Sequence, residues 1–192
     1  VPGSNASDST EIYQEGLRIA PLKLYERGQL NETLWSLIET NVRIPVQMFG
    51  DLRAQLAACN IAEKQFNELL AHYGTAVTCH YMQAVIDYAE RLARAAIAEL
   101  PDGEFTFEDW IDDDGIDRGK PIRLRCTVAK EGNGMRVSWD GTSDQVKGAI
   151  NCTLSFTKAV SYAAVRSVLG NDIPCNEGLF RTIEVTAPEG SI

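Results

Sequence analysis

The chain has 192 residues, 44% of them hydrophobic, and a formal net charge of -9. That apolar fraction supports a packed core and excludes a disordered chain, in one domain or one domain with an appendage. The acidic balance excludes nucleic acid and anionic membrane surfaces as partners, because both require basic patches. No apolar run approaches the ~20 residues of a membrane span. The five cysteines, Cys59, Cys79, Cys126, Cys152 and Cys175, are scattered and form no C-x-x-C pair. They are expected to be reduced, mostly buried thiols of a cytoplasmic protein rather than disulfide partners or zinc ligands.

Residues 1–30 are expected to form an extended arm. Pro2, Gly3, Ser4 and Asn5 resist regular structure, and Leu22, Leu24 and Tyr25 after Pro21 suggest a short strand or a packing segment. Within the arm, Glu11, Glu15 and Arg18 stand at four- and three-residue steps, which would place them on one face if the segment is helical. Two carboxylates beside a guanidinium can bind a metal or a polar substrate, or move a proton. The same pattern also describes a solvated helix start with an ordinary ion pair.

Residues 31–100 predict helices. Asn31 suits an N-cap for a helix carrying Leu34, Trp35, Leu37 and Ile38, and Pro45 marks a boundary. Phe49, Leu52, Leu56, Cys59, Phe66, Leu69, Leu70 and Tyr73 recur at helical steps, ending at Gly74. Val77, Tyr81, Val85, Tyr88, Leu92 and Ala96 form a second stripe, ending at Leu100-Pro101. The expectation is a long antiparallel helical hairpin with these stripes as its core.

Residues 101–192 change period. Phe105, Phe107 and Trp110 imply a strand with an acidic loop behind it. Ile122, Leu124, Cys126 and Val128 alternate with Arg123, Arg125 and Thr127, a half-buried strand that turns at Gly132-Asn133-Gly134 into Met135, Val137 and Trp139. One further helix follows over Phe156–Leu169, ended by Gly170-Asn171, and Ile183, Val185 and Ala187 suggest a last strand. The predicted class is therefore α+β, with helices before a mostly antiparallel sheet. The chain opens on Val1 and closes on Gly190-Ser191-Ile192 without cap or polar tail, so it is expected to be a fragment of a larger subunit.

The remaining motifs read as structural. Asp112-Asp113-Asp114-Gly115 fails the calcium-loop template, because Trp110 and Pro121 would fall at its first and last ligand positions; a solvated acidic turn is expected. Asp140-Gly-Thr-Ser-Asp144 with Gly148 and Asn151 has neither phosphate-loop nor dinucleotide-loop spacing, though its amides and hydroxyls can face an anion or cap the next helix. His72 and His80 have no carboxylate nearby in sequence and read as helix-end residues. The triplets at Asn5, Asn31 and Asn151 match the N-glycosylation pattern but would carry no sugar in the cytoplasm.

Several segments in order resemble the hydantoinase B/5-oxoprolinase family. They are Ser9–Leu24 with its Thr-Glu-Ile-Tyr-Gln-Glu-Gly-Leu-Arg-Ile core, Asn41-Val-Arg-Ile-Pro45 leading to Gly50–Ala57, and Leu100–Gly103. Gly141-Thr-Ser143 with Gly148–Asn151, Ile173–Gly178 and Ala187–Ser191 complete the set. The resemblance spans nearly the whole chain. It implies part of an ATP-dependent enzyme that opens the cyclic amide of 5-oxoproline or a hydantoin, or carboxylates a small ketone. It implies an actin-fold ATPase subunit or domain as partner, holding the ATP, and an oligomeric parent enzyme. In the family the metal-binding His and Asp motifs precede the position matching Val1, so a divalent metal would be held by upstream residues and none by this fragment. The resemblance makes Glu11, Glu15 and Arg18 the catalytic candidates and Asn151 and Asn176 the substrate-binding candidates, with the fragment inactive alone. The alternative is a non-catalytic structural module for subunit contact in a ketone carboxylase or hydantoinase complex.

Overall fold

A computed structural model of the chain describes residues 9–170 and 172–192, without the Glu15 side chain. The Pro2–Asn5 stretch and Asn171 lie outside the described residues. The chain divides between Thr75 and Ala76 into two compact units. The stretch 31–100, read from sequence as one helical part, therefore contributes to both.

The first unit holds α1 (Ile12–Glu15), a two-strand ribbon β1 (Tyr25–Glu26) and β2 (Gln29–Leu30), α2 (Glu32–Asn41) and α3 (Pro45–Tyr73). Arg27 (φ 51°) and Gly28 (φ 79°) make the two-residue turn of the ribbon, whose sense of twist needs positive φ at both positions. Asn31 caps α2 as its sequence predicted: its Oδ1 accepts from the Leu34 amide at 3.1 Å. Pro45 opens α3 at the first helical position, where its missing N–H leaves no extra unsatisfied donor. The core is small. Leu34, Ile38 and Phe49 are buried together, and Trp35 stacks on Phe49 with ring centroids 4.0 Å apart. Beyond Phe49, the stripe predicted to be the core of α3 is largely open: Phe66, Leu69 and Tyr73 are exposed. The period correctly identified an apolar face, but not what would cover it.

The second unit starts within α4 (Thr75–Ala98), at Ala76. It continues through β3 (Gly103–Ile111), β4 (Ile122–Glu131), β5 (Gly134–Ser138), α5 (Leu154–Leu169), α6 (Glu177–Phe180) and β6 (Ile183–Thr186). Its sheet has the order β3-β4-β5-β6, antiparallel except for the parallel β5–β6 pair. A parallel pair needs a crossover, and α5 with α6 supplies it. Val137, Ile183 and Val185 on one sheet face are buried against Val165 of α5, with Cys126, Val128 and Met135 packed around them. Each such side chain contributes about 1.5–3 kcal/mol on burial. The Trp139 indole N–H donates to Ser161 Oγ at 3.1 Å and fixes α5 over the sheet. Lys130 is 7% exposed at the end of this apolar face. Its ammonium is satisfied by the Leu100 carbonyl at 2.6 Å and the Asp102 carboxylate at 2.7 Å, so the turn before β3 is pinned to β4.

The buried stripe of α4 is Ala89, Ala93 and Ile97, whereas Val77, Tyr81, Val85 and Tyr88 are exposed. The small alanines allow α6 to approach closely: a Cβ at Gly178 would fall on the Ile86 carbonyl oxygen and 2.8 Å from the Glu90 amide nitrogen. Cys59, Cys79, Cys152 and Cys175 are exposed and Cys126 is half-buried, contrary to the expectation of mostly buried thiols. Small, weakly polar side chains carry no period of their own, so nothing in the sequence assigned them a face.

Candidate functional site

Gln14 Oε1 accepts from the Thr10 amide at 2.6 Å and the Glu11 amide at 3.2 Å, which closes the single turn of α1. Glu11 stands at its N-cap, exposed. Glu15 is its last residue; its side chain lies outside the described residues. The turn stops at Gly16, so Arg18 does not follow Glu15 on a helical face as the spacing suggested. Arg18 instead lies over the Tyr13 ring, with its guanidinium carbon 5.2 Å from the ring centroid, and one of its nitrogens donates to the Tyr13 hydroxyl at 3.1 Å. An exposed cation–π contact of this kind is worth about 0.5–1 kcal/mol, enough to orient the group. Neither Glu11 nor Arg18 makes an ion pair among the described residues. The result is a carboxylate and an oriented guanidinium with donors to spare, on a short exposed segment. A surface depression of about 910 Å³ lies further along the arm, lined by Pro21–Lys23 and Glu26–Asn31 except Gly28. Neither Glu11 nor Arg18 lines it.

The two asparagine candidates are in the second unit, on different loops. The Asn151 carboxamide braces its own loop: Oδ1 accepts from the Val146 amide at 2.9 Å, and Nδ2 donates to the Val146 and Gly148 carbonyls at 2.8 and 3.1 Å. Asn176 caps α6, its Oδ1 accepting from the Gly178 amide at 2.9 Å, and its Nδ2 donates to the Val85 carbonyl of α4 at 3.4 Å.

The structure also brings together residues that sequence reasoning passed over. The acidic run is not simply a solvated turn. Asp114 is 3% exposed. Its Oδ1 accepts from the Asp117 and Ile116 amides at 2.6 and 2.9 Å, and its Oδ2 from the Gly148 amide at 3.1 Å. Asp113 accepts from the Gly115 and Gly119 amides. The Asp117 amide above all, then Ile116 and Gly148, holds the Asp114 carboxyl below the ordinary aspartate range, against an opposing push from burial. The Gly119 and Gly115 amides do the same for Asp113. Carboxylates with such depressed values stabilise the fold above their unfolded pKa, near 3.9, and lose that contribution as pH falls through the folded values. Melting temperature should therefore drop increasingly steeply below about pH 4. Asp114→Asn should melt lower at pH 6 yet fall less on acidification. Parallel wild-type and Asp114→Asn curves from pH 6 to 3 would exclude this carboxylate as the source.

Beside this loop, residues 141–143 run along β4 through side chains. Ser143 Oγ accepts from the Arg123 amide at 2.9 Å, and Thr142 Oγ1 bonds both the amide and the carbonyl of Arg125 at 3.0 and 3.1 Å. Gly141, at φ 89°, leaves room for Arg125, whose Cδ would lie 3.0 Å from a Cβ there. Arg125 Nε is 3.5 Å from the Glu108 carboxylate, close enough for an ion pair but not aligned for a hydrogen bond. Arg125, Thr127, Arg136, Ser138, Asp140, Thr186 and Glu104 line a polar concavity of about 290 Å³ on the sheet face opposite α5. The alternation of Arg123, Arg125 and Thr127 had already marked this face as polar; the concavity is formed by residues of β3, β4, β5 and β6 with Asp140. Its mixed guanidinium, hydroxyl and carboxylate lining suits a small polar molecule. Among the described residues no three His, Cys, Asp or Glu side chains converge to hold a metal ion. No helix among them is long and apolar enough to cross a membrane.

Comparison with known proteins gives a consistent picture. The chain is 34% identical over its whole length to a Pseudomonas sp. (strain NS671) protein named as one component of a D-/L-hydantoinase, covering 34% of that protein. It is 32% identical over its whole length to the beta chain of caprolactamase from Pseudomonas jessenii, covering 33% of it. The crystal structure of the ATP-dependent caprolactamase from Pseudomonas jessenii superimposes with a TM-score of 0.79 over 96% of this chain and 32% of that one, at 31% identity. An acetone carboxylase structure matches with a TM-score of 0.84 at 16% identity, which shows a shared fold. The chain thus spans about a third of the length of these relatives. With its family match running over residues 1–192, the chain belongs to the hydantoinase B/oxoprolinase family.

Proposed function

We propose that this chain is part of the substrate-handling subunit of a cytoplasmic, ATP-dependent hydrolase that opens the cyclic amide of 5-oxoproline or a hydantoin. The observation that carries the reading is the 31% identity, at a TM-score of 0.79, to an ATP-dependent caprolactamase. ATP is assigned to a hydantoinase A-like actin-fold partner and a divalent metal to residues outside this chain. Glu11, Glu15 and Arg18 are the groups proposed to meet the reacting amide. The exposed carboxylate of Glu11 suits proton transfer, and the Arg18 guanidinium suits an oxygen gaining negative charge. Asn151 and Asn176 are proposed to contact substrate through the loops they brace.

On this reading the 192 residues alone do not turn over, because they amount to a third of the relatives' length. Phosphate release and ring opening should be assayed together with 5-oxoproline, hydantoin and caprolactam. The isolated chain should show neither, and the longer subunit joined to its ATPase partner should show both in step. Ring opening by the isolated chain, or ATP-coupled ketone carboxylation by the assembly, would overturn the reading. A second reading, a non-catalytic contact module, is favoured by the exposed Val77, Tyr81, Val85 and Tyr88 face of α4. It requires ring opening to survive substitution of all three arm residues.

A further inference from the structure

The β3 strand is built to accept another strand. It is nine residues long, lies at the sheet edge, and pairs with β4 without a bulge from Gly103↔Lys130 to Ile111↔Ile122. It contains no proline. Natural edge strands are usually short, kinked or covered, because a long regular edge offers free N–H and C=O groups to any neighbour. Both faces of β3 are also open. Phe105 and Phe107 are 59% and 70% exposed on the α5 side, and Trp110 is 56% exposed on the other. An apolar groove of about 330 Å³ beside Phe105, lined also by Val128, Met135, Val165 and Val168, continues that surface onto α5.

The direction of the free groups can be read. The hydroxyls of Thr106 and Thr127 meet at 3.0 Å, the close side-chain approach of a pair whose amides point away from each other. By the period of two, the amides of Glu104, Thr106 and Glu108 face outward. The Trp110 amide, next in that series, is taken by the Asp109 carboxylate at 2.8 Å.

Charge selects the occupant. The strand carries Glu104, Glu108 and Asp109 and no basic residue. Antiparallel pairing with a second copy, centred on Thr106, would set Glu104 of each strand opposite Glu108 of the other. Like charges directly opposed are destabilising. We propose that β3 is a docking edge for a polypeptide strand of alternating apolar and basic residues. Its apolar side chains would lie beside Phe105 and Phe107, and its basic ones beside Glu104 and Glu108. Main-chain bonds to the three outward residues supply affinity and the alternation supplies specificity. This does not rest on the enzymatic reading.

The test uses the 192-residue chain and a capped nine-residue peptide of alternating lysine and valine, the length of β3. Amide hydrogen exchange at Glu104, Thr106 and Glu108 should slow by about tenfold or more with this peptide. It should not slow with a glutamate–valine alternation, or with a peptide in which the lysines and valines form two blocks. Thr106→Pro removes an outward amide without breaking the ladder to β4, and should keep its melting temperature but lose the response. If that variant fails to fold, the pair Glu104→Lys with Glu108→Lys should shift the preference to the glutamate–valine peptide. No slowing, equal slowing with all three peptides, or slow exchange in the chain alone together with sedimentation as a dimer would each overturn the proposal.

Discussion

Arg18→Met, Glu11→Gln and Glu15→Gln in the full-length subunit, assembled with its ATPase partner, should each lower ring-opening turnover by about 30- to 1000-fold while leaving the melting temperature near wild type. The stability half of this expectation rests on exposure. Glu11 and Arg18 make no ion pair among the described residues, and the Tyr13 contact is the one attachment of Arg18 seen there. An exposed charged pair contributes roughly 0–1 kcal/mol, so the fold should hardly register its loss. The activity half rests on what a charge does next to a reacting oxygen. Removing one aligned donor or acceptor there raises a barrier by about 2–4 kcal/mol. Phosphate release and ring opening, measured beside thermal melting of each variant, separate the two. Unchanged turnover in all three, or melting that falls in proportion to activity, would make the segment structural.

Gly178→Ala should lower stability by about 2–3 kcal/mol, whereas Gly50→Ala should raise it by about 0.5–1 kcal/mol. The substitutions are chemically identical, and the surroundings decide the sign. At Gly178 the new methyl would meet backbone atoms of α4, the Ile86 carbonyl and the Glu90 amide, which cannot move aside as a side chain would. Relieving the overlap means lifting α6 from α4, and with it the buried Leu179 from Ala93 and Ile173. At Gly50, inside α3, nothing lies within 4 Å, and alanine simply narrows the unfolded ensemble. For a chain of this size each kcal/mol moves the melting temperature by about 2–4 °C, so the two variants should fall on opposite sides of wild type. Equal melting temperatures would mean that α6 does not pack as described.

Glu11 and Arg18 could be picked out because charged side chains in an apolar segment stand out in a sequence, and both side chains are exposed. Asn151 and Asn176 could be picked out as polar residues in glycine-bearing loops, but their carboxamides are engaged with backbone. A single sequence does not show which backbone groups such a carboxamide will meet, as with Asn176 and the Val85 carbonyl of α4. The acidic run misled for a related reason: one partner of the buried Asp114 carboxylate is the Gly148 amide, 34 residues away.

Local chemistry was therefore decided by the sequence alone. The Asn31 cap, the start of α3 at Pro45, its end before Gly74, the β4–β5 hairpin and the end of α5 before Gly170 all follow from residues within a few positions of each other. Tertiary structure decided which apolar faces are covered, since period shows that a face exists but not what meets it. It placed α4's alanines rather than its tyrosines in the core, set β6 parallel to β5 through the α5 crossover, and left β3 as an open edge. Each of these depends on contacts between residues far apart in the chain, where backbone approach and packing volume outweigh local preference.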